Sequence, residues 1–265
     1  MCAATCTSTE NGVSEDLRDE RFRQALRRIV SPGERERHGI GMQKEKTLHA
    51  VLKAYEDPDE DHHEIPIVPY IADIYDGSSI TEIQTAGLDR LRDKLRAFLP
   101  AYPVTVVYPI PASKWVIWVD PATGETGKKN RSPLKGSFYT AFKELYKISG
   151  FLTDPNLTVK LILLDMEEYR LQDGWSRDGK RGSHRYDRIP LRIVDETVLS
   201  QPRDYLQFIP YELPETFTAA ELARSAGCSA KGFSTAALVL YRLGVIERVG
   251  KRGRAYLYRV PEALQ

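Results

Sequence analysis

Apolar residues recur along this chain at two different periods, and the switches between them mark out its elements. Leu48, Val51, Leu52 and Tyr55 stand at i, i+3, i+4 and i+7, which predicts an amphipathic helix over residues 43–55. Leu88, Leu91, Leu95 and Leu99 predict another over 88–99. Leu17, Phe22, Ala25, Leu26 and Ile29 predict a shorter, charged one over 17–30, stopped by Ser31-Pro32-Gly33. A further helix is expected over 137–148. β-Branched and aromatic runs predict strands over 70–75, 80–85, 103–110, 114–120 and 158–165, with Asp76-Gly77 in the turn between the first two. Residues 1–16 are rich in Ser, Thr, Asn and Glu and read as disordered. Residues 56–64 read as an acidic loop, 170–188 as a polar, glycine-punctuated loop and 205–214 as a connector.

Beyond residue 213 the signals crowd together. Thr218-Ala-Ala-Glu221 is a capping box that starts a helix, and Gly227 suits a helix C-terminus. Ser229 caps a second helix that turns Phe233, Ala237, Leu240 and Leu243 inward, and Gly244 ends it. Residues 245–249 and 255–260 read as strands joined by the basic turn Gly250-Lys-Arg-Gly-Arg254. This succession, and above all LYRLGVIERVGKRGRAYLYRV, resembles a winged helix-turn-helix domain over roughly residues 213–260. The resemblance implies a second helix in the DNA major groove, offering Ser229, Lys231, Ser234 and Thr235, and a wing whose Lys251, Arg252 and Arg254 meet phosphates. None of those helix residues is an arginine or asparagine suited to bidentate base reading, so weak sequence preference is expected. The alternative is a winged helix that holds a protein partner or packs on its own chain.

A second constellation lies in the expected hairpin. Side chains alternate along a strand, and residues opposite each other in a hairpin point the same way. A two-residue turn at Asp76-Gly77 sets Asp73 one step from Glu82, and a four-residue turn over 76–79 sets them directly opposite. Either even length crowds two carboxylates on one face, a repulsion that a divalent cation removes. Glu45, one turn before Leu48, is placed to add a third. The order is a helix with Glu45, Asp73 in a strand, Glu82-x-Gln84 in the next, an amphipathic helix and the apolar strand PVTVVYPI. It resembles the PD-(D/E)XK, or restriction-endonuclease-like, nuclease superfamily over roughly residues 40–110. The resemblance implies metal-dependent phosphodiester hydrolysis, with Asp73 and Glu82 holding Mg²⁺ or Mn²⁺ and Glu45 and Gln84 completing the site. Gln84 stands where the family usually has lysine and supplies no positive charge, and Ala72 stands where it usually has proline.

Composition narrows the classes. The 265 residues carry a net charge of +1, which excludes a uniformly basic nucleic-acid coat but not local patches. One candidate patch is Lys128, Lys129 and Arg131. Another is residues 175–188, where Arg177, Lys180, Arg181, Arg185 and Arg188 accompany Trp175, His184 and Tyr186. Arginine forks suit phosphates and aromatic rings suit bases, while a solvated loop with internal Arg–Asp pairs is the equal alternative. Trp115 and Trp118 are assigned to the core. His62 and His63 sit among acids but need a folded scaffold to share an ion. Cys2, Cys6 and Cys228 form neither a disulfide framework nor a metal-ligand spacing. No stretch approaches the roughly 18 apolar residues of a membrane span, and no apolar signal core is evident. A cytoplasmic location and no membrane partner are therefore expected.

The expected architecture is α/β: a restriction-endonuclease-like mixed sheet flanked by helices over residues 39–200, a winged-helix domain over 205–265, and a flexible tail with a short helix over 1–38. The expected activity is metal-dependent hydrolysis of nucleic acid, with double-stranded DNA as partner. The alternatives are a non-catalytic winged-helix DNA-binding regulator and a protein-interaction adaptor.

Overall fold

A computed structural model describes residues 8–30, 46–175, 181–228 and 233–264. Glu45, Arg177, Lys180, Ser229 and Lys231 lie outside the described residues, and Arg181 is described in its backbone alone. The fold is mixed α/β, a large mixed sheet flanked by helices. Two compact units interleave along the chain: Met1–His63, Pro111–Gly136 and Leu163–Asp195 form one, and Glu64–Ile110, Ser137–Ile162 and Glu196–Gln265 form the other.

The first unit opens with helix α1 (Ser8–Ile29) and helix α2 (Thr47–Glu56). The helix expected over 17–30 thus begins at Ser8, and residues 8–16 are helical rather than disordered. Tertiary packing explains the difference, because a helix nucleated elsewhere extends at little cost into a stretch whose acids suit an N-terminus. The nucleus is Phe22, whose ring meets Tyr55 edge-on at 5.7 Å, backed by Arg21, which donates to the Glu56 carbonyl. Helix α2 starts at Thr47 rather than Gln43: Lys46 is extended, and no local side chain caps the helix. The cap comes from far along the chain, where the buried Asp187 carboxylate accepts the Thr47 N–H at 3.2 Å and the Thr47 hydroxyl.

Among the described residues the sheet has seven strands. Six run in the order β1 (His63–Ile67), β2 (Tyr70–Tyr75), β3 (Ile80–Ile83), β4 (Val104–Val119), β6 (Leu157–Trp175) and β7 (Arg181–Leu199), and β5 (Asn130–Arg131) pairs with β4. Strands β2 and β3 are antiparallel, whereas β3 and β4 are parallel. A parallel pair needs a crossover, supplied here by the 3-10 turn Leu88–Leu91 and helix α3 (Arg92–Phe98). Leu88, Leu91, Leu95 and Leu99 are all buried, as their spacing predicts.

Several expected elements differ. The strands anticipated over 103–110 and 114–120 are one, β4, and Pro109-Ile110-Pro111 marks where it passes from one unit to the other. The loop anticipated over 170–188 contains the outer ends of β6 and β7. The alternation of Glu168 and Arg170 with Tyr169, a core residue, and Leu171, which packs against that core, is the period of a strand. The acidic loop before β1 is ordered: Asp59 caps a 3-10 turn at Glu60–His62, and His62 Nδ1 lies 2.7 Å from Asp57. The helix anticipated over 137–148 breaks into 3-10 turns around α4 (Phe142–Leu145). Trp115 is not a core residue: it is half-buried, with Lys129 and Arg131 lying 5.0 and 5.7 Å from its ring centre. Trp118 is half-buried as well.

The C-terminal elements belong to the second unit. They are β8 (Phe217–Thr218), α5 (Ala219–Ser225), α6 (Phe233–Arg242), β9 (Glu247–Arg252) and β10 (Ala255–Arg259), with the strands in the order β8-β10-β9. The capping box forms as the sequence predicts, Thr218 N–H to Glu221 at 2.7 Å and Glu221 N–H to the Thr218 hydroxyl at 3.2 Å. Gly227 ends the first helix at φ 64°. No described helix is long and apolar enough to cross a membrane.

Because Phe22 carries the α1–α2 packing, Phe22→Ala should cost about 3–5 kcal/mol, read as a lower urea midpoint. An unchanged midpoint would show that α1 adds nothing to the first unit.

Candidate active site

The candidate site lies in the second unit, on β2, β3 and α3. The β2–β3 turn is the four-residue one. Asp76 holds it by accepting the N–H groups of Ser78 and Ser79, both at 2.7 Å, while Gly77 takes φ 91°. Tyr75 pairs with Ile80 and Ile74 with Thr81, so the next step brings Asp73 to Glu82. There the side chains take over from the ladder. Asp73 Oδ2 accepts the N–H of Ile83 at 2.7 Å, and the Asp73 N–H in turn favours the Glu82 carboxylate.

Glu82 is 1% exposed. Burial pushes its carboxyl up, the charge of Asp73 pushes it further, and Lys94 opposes both, leaving it at about 7. Lys94 reaches from α3 to bond both Glu82 oxygens, at 2.7 and 3.0 Å. Sequence reasoning missed this lysine because charges on an amphipathic helix read as solvated. Its position, three residues after Leu91 and one before Leu95, put it at the edge of the buried stripe, and that was the available signal.

Gln84 does not join the acids. It lies past the end of β3, and its amide donates to the carbonyls of Ala86 at 2.5 Å and Gly87 at 2.9 Å. It thereby holds the turn that enters Leu88–Leu91, where Gly87 takes φ 66°. Among the described residues no three His, Cys, Asp or Glu side chains gather as they would around a metal ion. Asp73 and Glu82 are a two-carboxylate set, which is how Mg²⁺ is held where water and phosphate complete the shell. A buried acid pushed up by the charge of a neighbouring one fits such a cation, with Lys94 shared or displaced.

The other expected contact residues fall into two groups. Lys251, Arg252 and Arg254 are exposed at the β9–β10 turn, but Arg252 is tied to the capping-box Glu221 at 2.7 Å. Nearby Arg248 lies 4.1 Å from the Tyr256 ring and 4.3 Å from that of Tyr241. Ser234 is exposed and Thr235 half-buried at the start of α6. That helix packs on its own chain: Phe233 meets Tyr139 at 5.1 Å, and Arg242 donates to Ser149 at 2.7 Å. In the first unit Arg185 lies beside Glu168 with Lys114 and Arg170, a cluster that sequence reasoning did not assemble.

The family described as "Domain of unknown function (DUF8091)" matches residues 46–200, and the chain belongs to it. A protein of Treponema pallidum (strain Nichols), described as an uncharacterized protein, is 28% identical over 217 residues, 82% of this chain and 85% of the relative. No solved structure matches the chain. The matched family span holds Asp73, Glu82, Lys94 and Glu168, and the C-terminal elements from β8 onward lie beyond it.

The raised carboxyl has a consequence for stability. The folded protein binds the Glu82 proton more tightly than the unfolded chain, whose value is near 4.5. This contribution to stability is fully present below the unfolded value and is lost as the pH rises through about 7. In chelator, wild type should therefore lose stability relative to Glu82→Gln between about pH 5 and pH 8. Urea midpoints that move in parallel would show that Glu82 is not held in this way.

Proposed function

We propose that the second unit carries a nuclease site of the restriction-endonuclease-like class. The observation that carries the reading is the Asp73–Glu82–Lys94 cluster, set in the order helix, hairpin, helix, parallel strand. Asp73 and Glu82 would hold Mg²⁺ or Mn²⁺. Such an ion, when bound, lowers the pKa of a water and neutralises charge on the scissile phosphate. Lys94 provides the positive charge that Gln84 lacks, since its ammonium can turn from Glu82 to a phosphate oxygen as charge develops there. Gln84 keeps the turn and takes no part in chemistry.

The C-terminal elements are read as a winged helix that adds nucleic-acid affinity through the wing. Lys251 and Arg254 offer charge to phosphates, and Arg252 shares its own with Glu221. A non-catalytic nucleic-acid-binding role is the second reading. It is favoured by the depth of Glu82 and by Lys94 occupying both of its oxygens.

Incubation with plasmid and linear DNA, with and without Mg²⁺ or Mn²⁺, separates the two. Asp73→Asn should lower metal-dependent cleavage by at least about 100-fold while binding holds or tightens, because one negative charge near the phosphates is gone. Lys94→Gln should lower it by about 10²–10³, and Gln84→Ala by less than about tenfold. Cleavage that survives in Asp73→Asn would sink the mechanism, and a wild type inert with every divalent metal would favour the binding role. For the wing, neutralising Lys251, Arg252 and Arg254 together should weaken binding to unrelated sequences alike and reduce the log–log salt slope by about two to three. An unchanged slope would remove the wing from the interface.

A further inference from the structure

We propose that strands β4, β6 and β7 carry a second site, which binds the phosphodiester backbone of a nucleic acid and is organised by the buried Glu168. The inference deepens the nucleic-acid reading above but does not depend on the Asp73–Glu82 site turning over.

Glu168 is 1% exposed, yet three cations converge on it from three strands. Lys114 of β4 donates to Oε2 at 3.1 Å, Arg170 of β6 donates through Nε to Oε1 at 2.6 Å, and Arg185 of β7 brings its Nε within 3.4 Å of Oε2. Burial pushes the Glu168 carboxyl up, but Arg170, Lys114 and Arg185 together draw it below its ordinary value. It is therefore an anion at neutral pH, and one cation would balance it. Among the described residues, three leave a surplus of two positive charges held close together. Lys114 Nζ and Arg185 Nε, sharing one oxygen, lie no more than about 6.5 Å apart. Such crowding is unfavourable without a further anion.

The donors left over point to what that anion is. Arg185 makes its closest approach to Glu168 through Nε, and among the described residues its two terminal nitrogens donate no hydrogen bond. Arg170 spends Nε and Nη2 on the carboxylate, and among the described residues its Nη1 donates no hydrogen bond. The three side chains are 21, 33 and 44% exposed, so they hold the buried carboxylate while staying partly open to solvent. Preorganised guanidinium forks beside an ammonium match the oxygens of a phosphate. A polymer rather than a lone phosphate is indicated by Trp118, half-buried and four residues along β4 from Lys114. Alternation sets the two on the same face, about 13 Å apart, within reach of a base on the same strand of nucleic acid.

The test uses the full chain and labelled oligonucleotides of about 20 nucleotides, single-stranded and duplex, titrated by anisotropy between about 50 and 200 mM salt. Arg170→Gln/Arg185→Gln should weaken binding by at least about tenfold and reduce the log–log salt slope by about two. The oligonucleotide form that shows the larger loss identifies the preferred strand state. If the double variant unfolds, Arg185→Gln alone serves, because it removes the most exposed of the three cations, and its slope should fall by about one. Unchanged affinity and slope in a folded variant of a protein that cleaves DNA would overturn this site and leave the nuclease reading standing. Loss of binding in the variant, with a wild type that cleaves nothing, would uphold this site and overturn that reading.

Discussion

A carboxylate taken out of water survives as an anion only where hydrogen bonds and opposite charge replace its hydration, and three buried acids organise this chain under that constraint. Asp187 meets it by capping α2 at Thr47, which fixes where the helix begins and so where Tyr55 stands to receive Phe22. Glu168 meets it with one cation from each of β4, β6 and β7, so a single side chain cross-links three strands. In the other unit Glu82 meets it only in part, since Lys94, which joins β3 to the helix that leads into β4, does not fully offset burial and the charge of Asp73. Such pairs add little net stability over an apolar core, but removing one partner leaves a stranded charge that costs about 3–5 kcal/mol. They therefore specify the arrangement of the elements more than they strengthen it.

The division of labour between Gln84 and Lys94 follows from where β3 stops. The last strand residue is Ile83, so strand geometry no longer holds the position two beyond Glu82 on the same face as that carboxylate. Gln84 instead donates to the backbone carbonyls of Ala86 and of the left-handed Gly87. A positive charge beside Glu82 has to come from another element. Helix α3 crosses between β3 and β4, and Lys94 lies on the part of it that passes the carboxylate.

What was legible in the sequence was whatever has a period. The stripes of residues 48–55 and 88–99 place their leucines in the core, and the parity of the Asp76–Ser79 turn brings Asp73 to Glu82. The capping box at Thr218 and the glycine at 227 also stand where local chemistry puts them. What was not legible depends on partners distant in the chain. Nothing near Thr47 announces Asp187, 140 residues away, as its cap. Glycines at 174, 179 and 182 suggested a loop and obscured the alternation of Glu168, Tyr169, Arg170 and Leu171. Lys94 and Lys114 each look like ordinary surface charge until a buried acid is found beside them.

The same logic reverses the weight given to the basic turn near the C-terminus. Counted in sequence, Arg248, Lys251, Arg252, Arg254 and Arg259 make the β9–β10 hairpin the most cationic segment of the C-terminal elements. In the fold Arg252 answers Glu221, Arg259 answers Glu247 at 2.6 Å, and Arg248 lies among tyrosine rings. Among the described residues, that leaves Lys251 and Arg254 as the charges the hairpin offers outward without an acid attached. Each phosphate contact contributes about 0.9 to the salt slope, so two such charges suit weak, non-specific binding. A chain of net charge +1 has no diffuse positive field to add to this. Stronger nucleic-acid binding requires cations concentrated elsewhere in excess over their acids, and among the described residues that condition is met where three of them share Glu168.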